Sequence, residues 1–399
     1  MSSAPRRGSG HLVSAVVCAV AGAAACNAIL GINDVPIPVV EGPEAGAPSD
    51  DGGDSSATTS TGPDAASDSG VQGAEASSVC TPADLQGDTH NCGTCGHDCL
   101  GGACQVGSCL PVALVGGDSG VAPFRLAQDD SFLYWTDTYA TVYRTSKTTG
   151  ETAPLYDQAA VPVGIAVDDA SVYWADSKGI WSTPKTSFSE NATLVANVIS
   201  GGHDLAIDDV GIYWSEEGPA IYAAHKYGNG ETGSALWEGD ADTSQVASDG
   251  LRVYFTADDG LLHAVALGDG GAVVTGTANA AGSNGLALYS GSVYWSVSAS
   301  SPSGGSVWGA STAALSATDV ASDQPYPYGV ASDGVTLFWS NVPYNGGDGA
   351  KILSCGLGSC TPTVLATGMS GPFAVVVDDV AVYWTDNQSP NGRLWRLAK

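Results

Sequence analysis

From Pro123 onward the chain repeats one arrangement of apolar and polar positions seven times: a short apolar run, a turn, then an unbroken aliphatic-aromatic run that ends on small or acidic residues. The copies read FRLAQDDSFLYWTD, GIAVDDASVYWAD, DLAIDDVGIYWSE, QVASDGLRVYFTAD, GLALYSGSVYWSV, GVASDGVTLFWSN and AVVVDDVAVYWTD. Their anchoring aromatics are Trp135, Trp174, Trp214, Phe255, Trp295, Trp339 and Trp384. The spacing is about 40 residues, the period of one blade of a β-propeller. Within each copy the pattern predicts four short strands. In the second these are Gly164 to Val167, Val172 to Trp174, Gly179 to Thr183 and Thr193 to Ala196. The turn between the first two carries Asp and small residues, which hydrogen-bond their own backbone in a hairpin. The second strand is apolar at consecutive positions, so both of its faces are buried, as in a sheet held between two others.

The two ends of the repeat region fit each other. Pro111 to Gly117, PVALVGG, has the pattern of a fourth strand, like ATLVAN and TVLATG, yet it precedes the first repeat. The last repeat stops after GRLWRLAK, the pattern of a third strand. The segment 111–399 is therefore read as an all-β, seven-bladed β-propeller whose last blade is completed by an N-terminal strand. That arrangement removes a free sheet edge and ties the ends together.

Composition supports this class. Glycine is abundant at 53, and Lys and Arg total only 13. Short strands joined by glycine-rich turns have such a composition and helix bundles do not. The net charge of −29 repels phosphate backbones, which excludes a nucleic-acid partner.

The chain ahead of the propeller divides into three parts. Residues 1–25 are read as a signal peptide: Arg6 and Arg7 precede an apolar stretch from Leu12 to Ala25, too short to span a bilayer comfortably. Residues 26–79 form an acidic tether. From Pro36 to Ser78 the tether holds Asp, Ser, Gly, Ala, Thr and Pro with no aromatic residue, too little apolar surface to offset the entropy of ordering. Residues 80–110 hold Cys80, Cys92, Cys95, Cys99, Cys104 and Cys109. So small a module needs covalent staples, and an exported chain meets an oxidising compartment, so disulfides are expected, with 15 pairings open. Zinc held by Cys92, Cys95, Cys99, His90 and His97 is the competing reading. Cys355 and Cys360, bracketing GLGS in the sixth repeat, are expected to form a local disulfide.

Three resemblances add to these readings. Ala23-Ala24-Ala25-Cys26 resembles a bacterial lipobox, with Ala23 in place of the usual Leu. That resemblance implies lipidation of Cys26 (palmitate among the acyl chains), a membrane anchor, and a bacterial cell-envelope location, the outer membrane by the sorting rule for Asn27. An ordinary secreted protein cleaved near Ala25 is the alternative. The segment CTPADLQGDTHNCGTCGHDCLGGACQVGSC is similar to the cysteine-rich module of plant stigma-specific secreted proteins and to myxobacterial cysteine repeats. The repeats resemble YWTD-class β-propellers, with YWTD itself at Tyr134 to Asp137 and Tyr383 to Asp386. That class usually has six blades, against seven repeats in this chain.

Candidate ligand-binding residues cluster where second strands end and first strands begin, on one rim of the expected propeller. They are Asp137, Asp176, His203, Asp204, Glu216, Asp258, Tyr326, Tyr328, Tyr344 and Asp386. Carboxylates beside aromatics at a channel mouth suit a sugar, a cation or a basic peptide. The competing reading is that acids recurring with the repeat hold the blades together. No catalytic motif is present and no off-pattern catalytic set stands out; His203 beside Asp204 is the best acid–base pair. The functional expectation is a monomeric, lipid-anchored envelope protein without a cofactor or resident metal, presenting a rim to protein or polysaccharide. The alternative is a metal-dependent hydrolase or lactonase at the channel mouth, with calcium as the possible cation.

Overall fold

The computed structural model describes residues 80–399, apart from 118, 187, 199, 269–270, 277–278, 299–303, 343–348 and 389–390. The signal peptide, Cys26, the tether and Tyr344 lie outside the described residues. Seven antiparallel blades of four strands follow one another. The first comprises Pro123–Gln128, Phe132–Asp137, Val142–Ser146 and Thr152–Tyr156. The second comprises Gly164–Val167, Ser171–Ala175, Ile180–Pro184 and Thr193–Asn197, each within one residue or so of the sequence expectation. Among the described residues the sole α-helix is Asp84–Gly87.

The ring closes as the sequence implied. Val112–Val115 pairs with Arg393–Ala398, the third strand of the seventh blade, matching Val112 with Arg396, Ala113 with Trp395 and Val115 with Leu394. One strand was not anticipated. Glu231–Thr232, from the loop before the outer strand of the third blade, adds in parallel to the outer strand of the second, matching Ala196 with Glu231 and Asn197 with Thr232. Asn197 Nδ2 donates to Gly230 O at 2.6 Å and holds this cover on an otherwise open edge.

Seven apolar clusters fill the seven gaps between blades. In each, the first aromatic of one blade's second strand meets the second aromatic of the next blade's. Tyr134 lies with Trp174, Tyr173 with Trp214, Tyr213 with Phe255, and Tyr254 with Trp295. Tyr294 lies with Trp339, Phe338 with Trp384, and Tyr383 with Trp135 across the closure. Consecutive residues of a strand point to opposite faces, so the Tyr-Trp pair serves both neighbours. All six of these tryptophans are fully buried. Their indole N–H groups are treated unequally: Trp135 donates to Thr145 Oγ1 at 2.9 Å and Trp214 to Glu216 Oε1 at 2.8 Å, whereas Trp174 and Trp384 have no acceptor.

Polar clamps reinforce the same gaps. The Asp at the hairpin between first and second strands accepts two turn N–H groups through Oδ1 and the strand tyrosine through Oδ2. For Asp129 these are Ser131 and Phe132 N–H at 2.9 and 2.8 Å and Tyr134 OH at 2.8 Å. A lysine after the third strand of the next blade then reaches the same carboxylate. Lys185 meets Asp129 at 2.8 Å, Lys226 meets Asp168 at 3.1 Å, Lys399 meets Asp333 at 2.5 Å, and Lys147 meets Asp378 at 2.8 Å across the closure. One departure is complementary: the fifth blade has Tyr289 where the acid would be, and the sixth has apolar Leu357 where the lysine would be. At Asp208, where the next blade offers Leu267, Ser248 Oγ donates to Oδ2 at 3.1 Å instead.

The cysteine module is held by Cys80–Cys95, Cys92–Cys104 and Cys99–Cys109, and the hairpin in the sixth blade by Cys355–Cys360. Cys92 and Cys99 are fully buried. The module rests on the closing blade. Cys109 packs against the core between blades six and seven, and Leu100 against the core between seven and one. Buried Arg396 donates to Leu100 O with one nitrogen and to Lys147 O with the other.

Two predictions follow from these contacts. Trp214→Phe strands Glu216 without its indole donor, whereas Trp174→Phe removes an N–H that has no partner. Urea unfolding is expected to show the first costing about 1–2 kcal/mol more than the second; equal costs would refute the assignment. The second concerns acid. Burial pushes the Asp129 carboxyl up, but Lys185, the two turn N–H groups and Tyr134 outweigh it and hold the group at about 2. An unfolded Asp titrates near ~3.9. A depressed native value gives stability that is present above the unfolded value and lost as pH falls toward 2. Lys185→Met is therefore expected to remove up to about 1 kcal/mol at neutral pH, and to show less further loss between pH ~4 and ~2 than the parent in acid unfolding monitored by tryptophan fluorescence.

Candidate functional site

The first strands of the seven blades contact one another in sequence and close a ring, the seventh meeting the first. They enclose a central cavity of about 180 Å³, lined by first-strand residues of all seven blades. Six of the seven first strands carry a register shift at their start, the exception being the second blade's. A bulge bends a strand and re-aims its side chains. Small residues are needed here for close approach: a Cβ on Gly285 would lie 2.3 Å from Tyr328 O, and one on Gly329 2.3 Å from Phe373 O.

Position for position, the channel wall presents Arg125, Gly164, Asp204, Gln245, Gly285, Gly329 and Ala374. Three polar side chains thus interrupt a column of Gly and Ala. Arg125 Nη1 donates to Gln245 Oε1 at 3.3 Å. Asp204 Oδ2 accepts the Val246 N–H at 3.0 Å. Burial raises the Asp204 carboxyl, and the Arg125 charge opposes that rise. One residue before the wall positions on three neighbouring first strands, Tyr328 and Phe373 ring centroids lie 3.9 Å apart and Phe124 and Phe373 4.5 Å apart. The Arg125 guanidinium sits 5.3 Å from the Phe124 centroid and 5.6 Å from that of Phe373. Burial also raises the Tyr328 phenol. Sequence reading named Asp204 and Tyr328 of this set but not Arg125, Gln245, Phe124 or Phe373. The signal was present, since Arg125 and Gln245 occupy a column that is otherwise small, but their meeting across the axis depends on ring closure.

The rim acids occupy different surroundings. Asp137 is buried and accepts the Ala122 N–H at 3.1 Å and the Tyr139 N–H at 2.6 Å. Asp176 accepts N–H groups of Ala160, Lys178 and Gly179 at 3.0, 2.8 and 3.1 Å and the Trp181 indole at 3.0 Å. Glu216 accepts the Ser200 N–H at 2.8 Å, and Asp386 the Gly371 N–H at 2.7 Å. Asp258 accepts the Gly282 N–H at 3.4 Å. Each of these carboxylates anchors the loop that enters a first strand, its own blade's or the next one's. Tyr326 has a positive φ of 45° in the loop before the sixth first strand, and its carbonyl accepts the Val342 N–H at 3.0 Å. His203 is exposed beside Asp204.

Among the described residues, the one group of His, Cys, Asp or Glu close enough to share a metal ion is Cys92, Cys99 and Cys109. All three sulfurs are in disulfides. His97 Nδ1 lies 2.7 Å from Cys92 O and is spent on the module's own backbone.

No family model matches the chain, and no curated protein matches it. Solved structures do. The WD40 β-propeller domain of Doa1 is similar with a TM-score of 0.55 at 11% identity, over 71% of this chain and 95% of that one. The Neurospora crassa Pan2 WD40 domain gives 0.55 at 10% identity, over 72% and 95%. The computationally designed Ika8 protein gives 0.51 at 12% identity, over 72% and 99%. At these identities the likeness concerns the fold alone: the chain is a seven-bladed β-propeller protein with a disulfide-stapled N-terminal region.

The Asp176 network yields a prediction. Asp176→Asn turns one of its acceptor oxygens into a donor facing backbone N–H groups. It is expected to cost about 2–3 kcal/mol in thermal or urea unfolding. An unchanged unfolding midpoint would show that the carboxylate is held for something other than the loop.

Proposed function

We propose that this protein is a lipid-anchored envelope protein that presents its propeller to a protein or glycan partner, as a monomer. The observation that carries the reading is the set of four disulfides in the folded region. Disulfides form and persist in oxidising compartments, which fits a chain exported by the leader at 1–25 and held at Cys26. Acyl chains on that cysteine would give stable membrane anchoring where a single chain gives marginal binding. The acidic segment 26–79 would then separate the folded part from the bilayer.

A binding role fits the rim better than hydrolysis. Asp137, Asp176, Glu216 and Asp386 are engaged by backbone N–H groups of loops, so they support the rim's shape. Loops on a rigid ring are where a propeller varies its contacts without disturbing its blades. The resemblance to YWTD-class propellers supports an extracytoplasmic setting.

Two measurements test this reading. Labelling of producing cells with radioactive palmitate is expected to mark the protein and to fail in Cys26→Ser, with the variant leaving the membrane fraction. Cross-linking on intact cells followed by mass spectrometry is expected to recover an envelope protein, or a polysaccharide adduct, joined to rim loops. Absence of label in the parent would overturn the anchor, and cross-links confined to the tether would overturn the rim.

A further inference from the structure

The channel carries a second functional reading that does not depend on anchoring. Arg125, Asp204 and Gln245 are unequal in chemistry: one guanidinium, one carboxyl and one amide in a lining otherwise made of Gly, Ala and aliphatic residues. A structural role alone explains them poorly. The ring of first strands is already held by second-strand hydroxyls that donate to first-strand carbonyls of the next blade (Ser215 to Ser244, Ser340 to Phe373, Thr385 to Phe124) and by close Gly approach, and in a chain of net charge −29 a guanidinium facing a cavity runs against composition. Among the described residues Arg125 enters no ion pair within 4.0 Å. Its Nε is buried and has no acceptor. An orphaned donor beside a cavity lacks an oxygen that something else supplies. Burial disfavours the charged form of Asp204, and an ammonium group placed against it would favour that form.

We propose that the channel binds a small zwitterion of the α-amino-acid class, its carboxylate on Arg125 and its ammonium on Asp204. A planar guanidinium presents parallel N–H groups that match a carboxylate, and Gln245 and the two phenylalanine faces hold that plane in place. The Tyr328, Phe373 and Phe124 cluster, one residue before the wall positions, would give an aliphatic side chain an apolar surface. The cavity of about 180 Å³ admits a handful of water-sized groups, the scale of a small amino acid.

The test is titration calorimetry of the purified full-length chain with L-alanine and L-leucine, and with acetate and ethylamine as half-ligands. Saturable binding of the amino acids is expected, with each half-ligand at least about tenfold weaker, or about 1.4 kcal/mol. Asp204→Asn is expected to reduce amino-acid affinity about tenfold and to leave acetate unchanged. Ala374→Leu fills the channel from the wall beside Arg125 and across from Asp204, and removes neither charge. It is expected to abolish binding while the circular dichroism spectrum and unfolding midpoint stay those of the parent. If Asp204→Asn fails to fold, Ala374→Leu alone decides the matter. No saturable heat from either amino acid up to ~10 mM, ten times a 1 mM site, overturns the proposal. Full affinity in folded Ala374→Leu, or acetate binding as well as L-alanine, does the same. None of these outcomes bears on palmitate labelling or rim cross-links, so the two readings fail separately.

Discussion

The structure depends on the seventh sheet being completed from the other end of the chain. Val112–Val115 lies against Arg393–Ala398, and with that strand in place every blade has two neighbours and every Tyr-Trp pair two gaps to fill. Without it, the gap between blades seven and one would hold Tyr383 and Trp135 beside an unfinished sheet. Both ends of the closure are also held by polar contacts, Lys147 to Asp378 and Arg396 to the Lys147 carbonyl. Apolar packing fills every junction, and a charged Lys–Asp clamp adds to four of the seven.

The clamps show how a repeat protein tolerates loss of a contact. An Asp without its lysine would be a half-buried charge with one fewer donor, and a lysine without its Asp would be worse. Every lysine at this position has its Asp, while Asp208 and Asp249 face Leu267 and Thr312 in place of a lysine. Tyr289 and Leu357 depart together across one junction, and Ser248 takes up the donor role at Asp208 where Leu267 stands. Such paired departures are expected when two residues far apart in sequence answer for one interaction.

Much of the architecture was legible in the sequence because blade strands are short, regular and buried on both faces. Trp174 with Val172 and Tyr173 announced a sandwiched strand, and PVALVGG ahead of the first repeat announced the closure. What could not be read is whatever depends on adjacency between blades. Lys185 and Asp129 are separated by a whole blade, and only ring geometry brings them to 2.8 Å. Arg125 meets Gln245 from blades one and four across the axis, so no local window contains the pair. The pairing of the six module cysteines was likewise closed to sequence, since all six crowd into one short segment. The rim acids were legible as a group, and the structure adds which loop each one holds.

Arg396 and the Cys99–Cys109 bond give the module a mechanical consequence. Because the module leads straight into Val112, a pull on the chain before Cys80 does not lengthen the module: its crosslinks pass the load to residue 109 as if through a rigid block. The load then arrives along the direction of the closing strand, so its hydrogen bonds to Arg393–Ala398 resist together in shear instead of parting one at a time. An anchored ring under drag would be held by the seam that also shuts it.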